Sequence, residues 1–228
     1  MTPPLVSIIL PTFNRLKYLR LSIDSVFAQT HADWELVIAD DGSDEETYEY
    51  LRAITVEPRI RLIRLSHSGR PSTVRNLALR EARGRYVAFL DSDDVWLPGK
   101  LEAQLAAHAS CPARRWSYTG LDLIDGDGAI LKRWPTGRWV PYDGAVFEVL
   151  LKQEASVAAP AVLAERSLVT EAGGFDEELP FFEDYDMWMR LSRLSDVIVV
   201  DQTLVLVRVH LEHYSADKIG RASCRERV

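Results

Sequence analysis

Arg85-Tyr86-Val87-Ala88-Phe89-Leu90-Asp91-Ser92-Asp93-Asp94-Val95-Trp96 is the stretch that decides the fold of this chain. Residues 86–90 are β-branched, aromatic or aliphatic and carry no charge, which predicts a strand buried on both faces. Three carboxylates follow where that strand runs out. Acids held this close repel one another and cost desolvation energy unless a cation balances them. Their hard oxygens suit Mg²⁺ or Mn²⁺, which binds through one or two carboxylates and completes its shell with water and phosphate. A solvated acidic turn, with Asp capping the next helix, would use the same residues.

The same unit recurs upstream. Residues 6–10 are an apolar run ended by Pro11, and Leu16, Leu19, Ile23, Val26 and Phe27 have the spacing of an amphipathic helix over 16–27. A second strand over 34–39 ends at Asp40-Asp41-Gly42-Ser43 and leads to a helix over 45–53. A third strand over 60–65 precedes a helix over 71–82, with Pro71 in its first turn and Gly84 just beyond its end. Four alternations of strand and helix predict an α/β fold with a mainly parallel central sheet flanked by helices. In such sheets ligands bind beyond the carboxyl ends of the strands. Pro11-Thr12, Asp40-Asp41 and the acidic triplet all fall on that edge.

The second half is less regular. Helices are expected over 98–108, 143–151, 168–172 and 183–194, and strands over 116–124, 130–139, 159–164, 197–200 and 204–209. Asp125-Gly126-Asp127-Gly128 reads as a hairpin between the first two of those strands. With no linker visible, residues 1–217 read as one domain. About 1–97 form a Rossmann-like nucleotide half and about 98–217 an acceptor half.

The chain has 228 residues, 47% hydrophobic and 27% charged, with a net charge of −7. No basic stripe is available to neutralise phosphates, so nucleic acid is not the expected partner. No stretch has the length of a membrane-crossing helix, and the start lacks the basic and apolar regions of a signal peptide. Two cysteines, Cys111 and Cys224, form no disulfide framework, which predicts a reducing cytoplasm. Residues 218–228 read as a non-native tail. The last ten lack periodicity and resemble the translation of a sequencing-adapter oligonucleotide. Those ten carry three Arg and one Glu, a charge of +2, so the rest of the chain carries −9.

Several residues are candidates for chemistry. A carboxylate at Asp40 or Asp41 can accept from a nucleobase edge or a ribose hydroxyl, or can simply cap the turn and helix that follow. Arg70 and Arg75 could reach a diphosphate or base from the third helix, or lie on the surface. Glu183 and Asp184 open a helix, where the macrodipole favours negative charge. A carboxylate there is either an N-cap or a general base for an attacking hydroxyl, its pKa raised by burial among Phe181, Phe182 and Trp188. Asp186 is placed for an i,i+4 pair with Arg190.

Taken together, 6–15, 37–43, 75–79, 89–94, 173–176 and 183–191 resemble, in order, the successive motifs of glycosyltransferase family 2. The resemblance spans 5 to about 215 and implies a GT-A fold and inverting transfer of one sugar from a nucleotide-diphosphate sugar, UDP-sugar favoured. By it, Pro11, Thr12, Asp40 and Asp41 hold the nucleoside, and Arg70 approaches the base or phosphate. Asp93 is the main ligand of a divalent cation, Mg²⁺ or Mn²⁺, with Asp91 facing the ribose or metal shell and Asp94 capping the loop beyond. Asp184 is the catalytic base, and His210 falls where some members place a His near metal or phosphate. The implied acceptor is a saccharide or lipid-linked saccharide in cell-envelope or extracellular polysaccharide synthesis. That places the protein in the cytoplasm, with room for peripheral association at the inner face of the membrane. The Gln-x-x-Arg-Trp motif and membrane helices of processive synthases do not appear.

Two other classes share part of the pattern. Phosphatases of the haloacid dehalogenase type use Asp-x-Asp after a strand, but there the motif opens the domain, whereas three strand–helix units precede it here. An inactive nucleotide-sugar-binding fragment would bind donor without turnover.

Overall fold

The computed structural model describes residues 4–209. Seven elements make the first half: β1 (Val6–Thr12), α1 (Leu16–Phe27), β2 (Trp34–Asp40), α2 (Glu45–Ile54), β3 (Ile60–Arg64), α3 (Pro71–Glu81) and β4 (Tyr86–Phe89). β1 lies between β2 and β4 and is parallel to both, and β3 extends the sheet parallel to β2. Ile8, Ile9, Leu10, Leu36, Val37, Ile38, Val87, Ala88 and Phe89 are all fully buried. Strands covered on both faces read as continuous apolar runs, which is why periodicity found them. The register pairs Thr12 with Asp40 and Ile9 with Phe89, so the carboxyl ends of β1, β2 and β4 open on one edge.

The second half adds β5 (Val95–Trp96), α4 (Lys100–Ser110), β6 (Trp116–Ile124), β7 (Ile130–Lys132), α5 (Phe147–Leu151), β8 (Val162–Glu165), α6 (Arg166–Glu171), α7 (Glu183–Leu194) and β9 (Val197–Arg208). β8 joins the sheet antiparallel to β4 and β6, and β9 runs parallel to β6. The order is β3-β2-β1-β4-β8-β6-β9-β5, with β7 on β6. The two expected final strands are one. The exposed pair Asp201-Gln202 is accommodated by register shifts opposite Thr119, Gly120 and Leu121, without breaking the ladder. The hairpin at Asp125 forms, but its return strand stops at Lys132, before Pro135, which has no N–H to donate. The helix expected from 143 starts only at Phe147, because Gly144 exchanges two backbone hydrogen bonds with Val197 instead.

Two features of the interior matter below. Phe89, Phe175, Trp116 and Trp188 form an aromatic cluster under α7. A polar seam joins α4 to β6. Lys100 Nζ donates to Gln104 Oε1 at 2.7 Å, Gln104 Nε2 donates to Ser117 Oγ at 3.0 Å, and His108 Nε2 lies 3.1 Å from the same hydroxyl. Lys100 is fully buried, 4.1 Å from the centre of the Trp96 ring, and burial holds its pKa well below the usual lysine range.

Candidate active site

The corner between β1 and α1 is built by two consecutive left-handed residues, Asn14 (φ 56°) and Arg15 (φ 62°). Such backbone costs about 1–3 kcal/mol per residue and persists only where neighbours hold it. Here the Asn14 amide donates to Ser43 Oγ at 2.7 Å and Asn14 Oδ1 accepts from the Asp44 amide at 2.9 Å. The result turns the Arg15 side chain onto Asp93, with Nη1 to Oδ2 at 2.6 Å. At the same edge Thr12 Oγ1 is buried without a hydrogen-bond partner among the described residues. Phe13, exposed, stacks on His67 with ring centres 4.1 Å apart.

The two acids after β2 do different things. Asp40 is fully buried, accepts from the Ser43 amide at 3.0 Å and has Arg64 Nε 3.6 Å away, so it braces its own turn. Asp41 accepts from the Ser68 amide at 2.7 Å and the Gly69 amide at 2.9 Å, clasping the 67–69 segment against the edge. Gly42 (φ 80°) permits that approach, since a Cβ there would stand 2.9 Å from the His67 amide. Arg70 is exposed, and its Nη1 donates to the Glu177 carbonyl at 3.0 Å, which holds it at the outer margin.

The acids after β4 divide as their surroundings dictate. Asp94 is buried, and its Oδ1 accepts from the Arg208 amide at 2.7 Å while its own carbonyl accepts from Ser22 Oγ at 2.6 Å. Burial, then Asp93 and Asp91, push the Asp94 pKa well above the usual carboxylate range. Arg208 Nε also donates to the Asp93 carbonyl at 2.9 Å, so the last described strand fixes this loop from behind. Asp91 Oδ1 accepts from Arg75 Nη2 at 2.7 Å, and Arg75 Nη1 donates to Glu183 Oε1 at 2.7 Å. Burial works against the Arg75 charge, but Asp91 and Glu183 outweigh it and raise its pKa.

Through Arg75 the acidic loop meets the start of α7. Phe182, left-handed at φ 59°, caps that helix. Asp184, half-buried, accepts from the Tyr185 amide at 2.7 Å. Its pKa is pushed up to about 6, by burial first and Glu183 second, against the pull of Arg75. Phe182 is not part of that burial as expected from sequence, being 67% exposed. The expected pair forms, with Arg190 Nε 2.9 Å from Asp186 Oδ2, and Arg190 also donates to the Gly174 carbonyl at 2.7 Å. Asn76 completes the floor, bonding the Phe175 amide and carbonyl at 2.8 and 2.7 Å. A cavity of about 880 Å³ between α3, α6 and this floor includes none of Asp91, Asp93 or Asp184, so it lies apart from them.

Asp91 and Asp93 have the donor chemistry of a Mg²⁺ or Mn²⁺ site. Both carboxylates are already drawn to guanidinium groups, so each sits where a cation is favoured. Among the described residues no group of three His, Cys, Asp or Glu side chains could hold a metal ion. The fit is therefore to a cation that takes most of its shell from water and phosphate. His210 lies outside the described residues. Arg15 and Arg208 went unnoticed in the sequence. Asn14, a residue type that tolerates the left-handed region, marks the first corner, and a lone charge inside the apolar run 204–209 marks the second.

The family model described as "Glycosyl transferase family 2" matches residues 7–113. The chain is 28% identical over 211 residues to an Escherichia coli protein, the UDP-Glc:alpha-D-GlcNAc-diphosphoundecaprenol beta-1,3-glucosyltransferase WfgD, covering 92% of this chain and 79% of that one. The first three curated relatives are longer, and the chain spans 35%, 52% and 31% of their length. Residues 1-349 of Staphylococcus aureus TarS, in complex with UDP-GlcNAc, superpose with a TM-score of 0.76 at 22% identity, over 92% of this chain and 60% of that one. The mannosyltransferase PcManGT of Pyrobaculum calidifontis, in complex with GDP-Man and Mn²⁺, superposes at 0.73 and 20% identity, over 97% and 61%. The fold is GT-A, and residues 7–113 of the chain belong to glycosyltransferase family 2.

Proposed function

We propose that this chain transfers one sugar, with inversion, from a nucleotide-diphosphate sugar to a hydroxyl of a saccharide or lipid-linked saccharide acceptor. One observation carries this reading: Arg75 ties the strand-end acids to α7, where Asp184 has a pKa of about 6, suited to a general base near neutral pH. WfgD's name contains a UDP-sugar donor and a diphosphoundecaprenol acceptor, which favours the same classes here. Residues about 1–97 hold the nucleotide sugar and about 98–217 the acceptor, in cell-envelope or extracellular polysaccharide synthesis. Among the described residues no helix is long and apolar enough to cross a membrane. A lipid-linked acceptor implies work at the cytoplasmic face of the membrane, by peripheral association.

In this reading Pro11, Thr12 and Asp41 receive the nucleoside, the Thr12 hydroxyl gaining the partner it lacks. Asp40 supports that subsite from behind, Asp91 faces the ribose and Arg70 the outer phosphate or base. Asp93, with His210 beyond it in the chain, would hold a divalent cation. Such a cation supplies positive charge to the departing diphosphate. Asp184 accepts the proton of the acceptor hydroxyl as that oxygen bonds to the anomeric carbon from the far side. The bond from that carbon to the diphosphate breaks, and the electron pair leaves with the nucleoside diphosphate. Asp184→Asn should still bind UDP in calorimetry while turnover falls by roughly 10²–10⁴. Normal turnover in that variant would reject the assignment.

A further inference from the structure

The two guanidinium groups on the acidic loop are built differently. Arg75 is closed in, its side chain 8% exposed, and both ends of its fork are engaged, on Asp91 and Glu183. Arg15 reaches Asp93 from the rim, its side chain 23% exposed against 4% for Asp93. Its main chain is fixed by the corner and by the Tyr18 and Leu19 amides, which donate to its carbonyl at 2.9 and 3.0 Å. The backbone is thus fixed independently of the guanidinium, which lies nearer solvent than that of Arg75. Asp93 is more enclosed than Arg15, and Arg208 holds its carbonyl while Asp94 is pinned beside it. A cation that binds Asp93 Oδ2 meets the Arg15 guanidinium already held there.

We infer that Arg15 is the resident counter-ion of Asp93, and that a divalent cation enters only as Arg15 is handed to the diphosphate of the incoming donor. Metal and nucleotide are then taken up together. A guanidinium fork suits phosphate at least as well as carboxylate, and a diphosphate offers more negative charge. Without it, the metal competes against a charge-assisted hydrogen bond. With it, the same Arg15 moves from competitor to donor ligand. Linkage makes the coupling reciprocal: Mn²⁺ tightens UDP by the factor by which UDP tightens Mn²⁺. The inference rests on the proposed role of Asp93, and the test separates the two.

Mn²⁺ binding is measured by calorimetry and by the electron paramagnetic resonance of the free ion, with and without saturating UDP. The wild type, Arg15→Gln, Arg15→Lys and Asp93→Asn are compared, each first checked by circular dichroism melting. Arg15→Gln should bind Mn²⁺ alone about tenfold more tightly than wild type, and most of the gain from UDP should disappear. Arg15→Lys, which keeps a cation but not the fork, should fall between them and serves if the Gln variant does not fold. Weak Mn²⁺ binding by wild type without UDP, with Arg15→Gln no tighter, overturns the role of Arg15 alone. Mn²⁺ uptake with UDP that survives in Asp93→Asn overturns the metal assignment itself, and the inference with it.

Discussion

The backbone amide of Arg208 donates to the buried carboxylate of Asp94 across 114 positions of sequence, at 2.7 Å. This bond closes the acidic loop onto the end of β9, and nothing local in either segment specifies it. Removing the acceptor strands a buried amide. Asp94→Ala should lower stability by about 1–3 kcal/mol in urea unfolding. Asp94→Asn keeps an acceptor oxygen, sheds a charge that burial disfavours, and should retain most of the wild-type stability.

Arg75 is the bridge between the acidic strand end and α7. Arg75→Ala leaves Asp91 and Glu183 facing each other and should cost about 3–5 kcal/mol, the usual penalty for breaking a buried pair. Arg75→Lys cannot span two carboxylates with one ammonium and should recover only part of that loss. A melting temperature equal to wild type for either variant contradicts the bridge.

Asp184 sets a pH dependence. With its folded pKa at about 6, Asp184 in the proposed role of base acts only when deprotonated, so kcat/KM should fall as pH drops below about 6 and level off above it. Glu183→Gln removes a charge that raises this pKa and should move the inflection to lower pH. The stability effect has the opposite sense. Between the ordinary value of 3.8 and about 6 the native state keeps a proton that the unfolded chain has lost, so stability falls as pH rises through that window. Asp184→Asn should therefore melt higher than wild type at pH 7.5, with the gain shrinking toward pH 4.

Thr12 offers a test of the nucleoside subsite with little structural cost. Its buried hydroxyl has no partner among the described residues, so Thr12→Val, of equal shape, should leave the melting temperature unchanged or slightly raised. Affinity for UDP should fall about tenfold, the worth of one hydrogen bond in calorimetry. Unchanged affinity removes Thr12 from the subsite.

Gly174 (φ 73°) tests the floor. A Cβ there would stand 2.9 Å from Asn76 Oδ1, the atom that accepts from the Phe175 amide. Gly174→Ala should cost about 1–2 kcal/mol from the left-handed backbone alone. It should also loosen the 173–177 segment, visible as faster proteolysis there.

The parallel half of the sheet was legible because β1, β2 and β4 are buried on both faces and their apolar runs stop at the same edge. Helix α7 was legible through Met187 and Leu191 on one face, and its Asp186–Arg190 pair through simple i,i+4 spacing. The second half was less so. Whether 197–209 is one strand or two depends on what β6 presents opposite Asp201, and the start of α5 on a backbone bridge between Gly144 and Val197. The site divides in the same way. Sequence places Asp91, Asp93 and Asp184 in their elements, but the partners that tune them, Arg15, Arg75 and Arg208, arrive from elements far apart in the chain. Charge pairing of that kind has no period.

The buried seam under α4 has a consequence for how the molecule comes apart. Lys100 sits away from water with an amide oxygen and an indole ring for company, and no carboxylate pairs with it among the described residues. Such an amine tolerates its place only while every neighbour is in position. If β6 slides or Trp96 lifts, the amine must reach solvent and take α4 with it. A molecule opened between α4 and β6 keeps only Gln104, on the same helix, hydrogen-bonded to the amine, which favours losing both elements together. Amide exchange along α4 and β6 should accordingly report a single opening event.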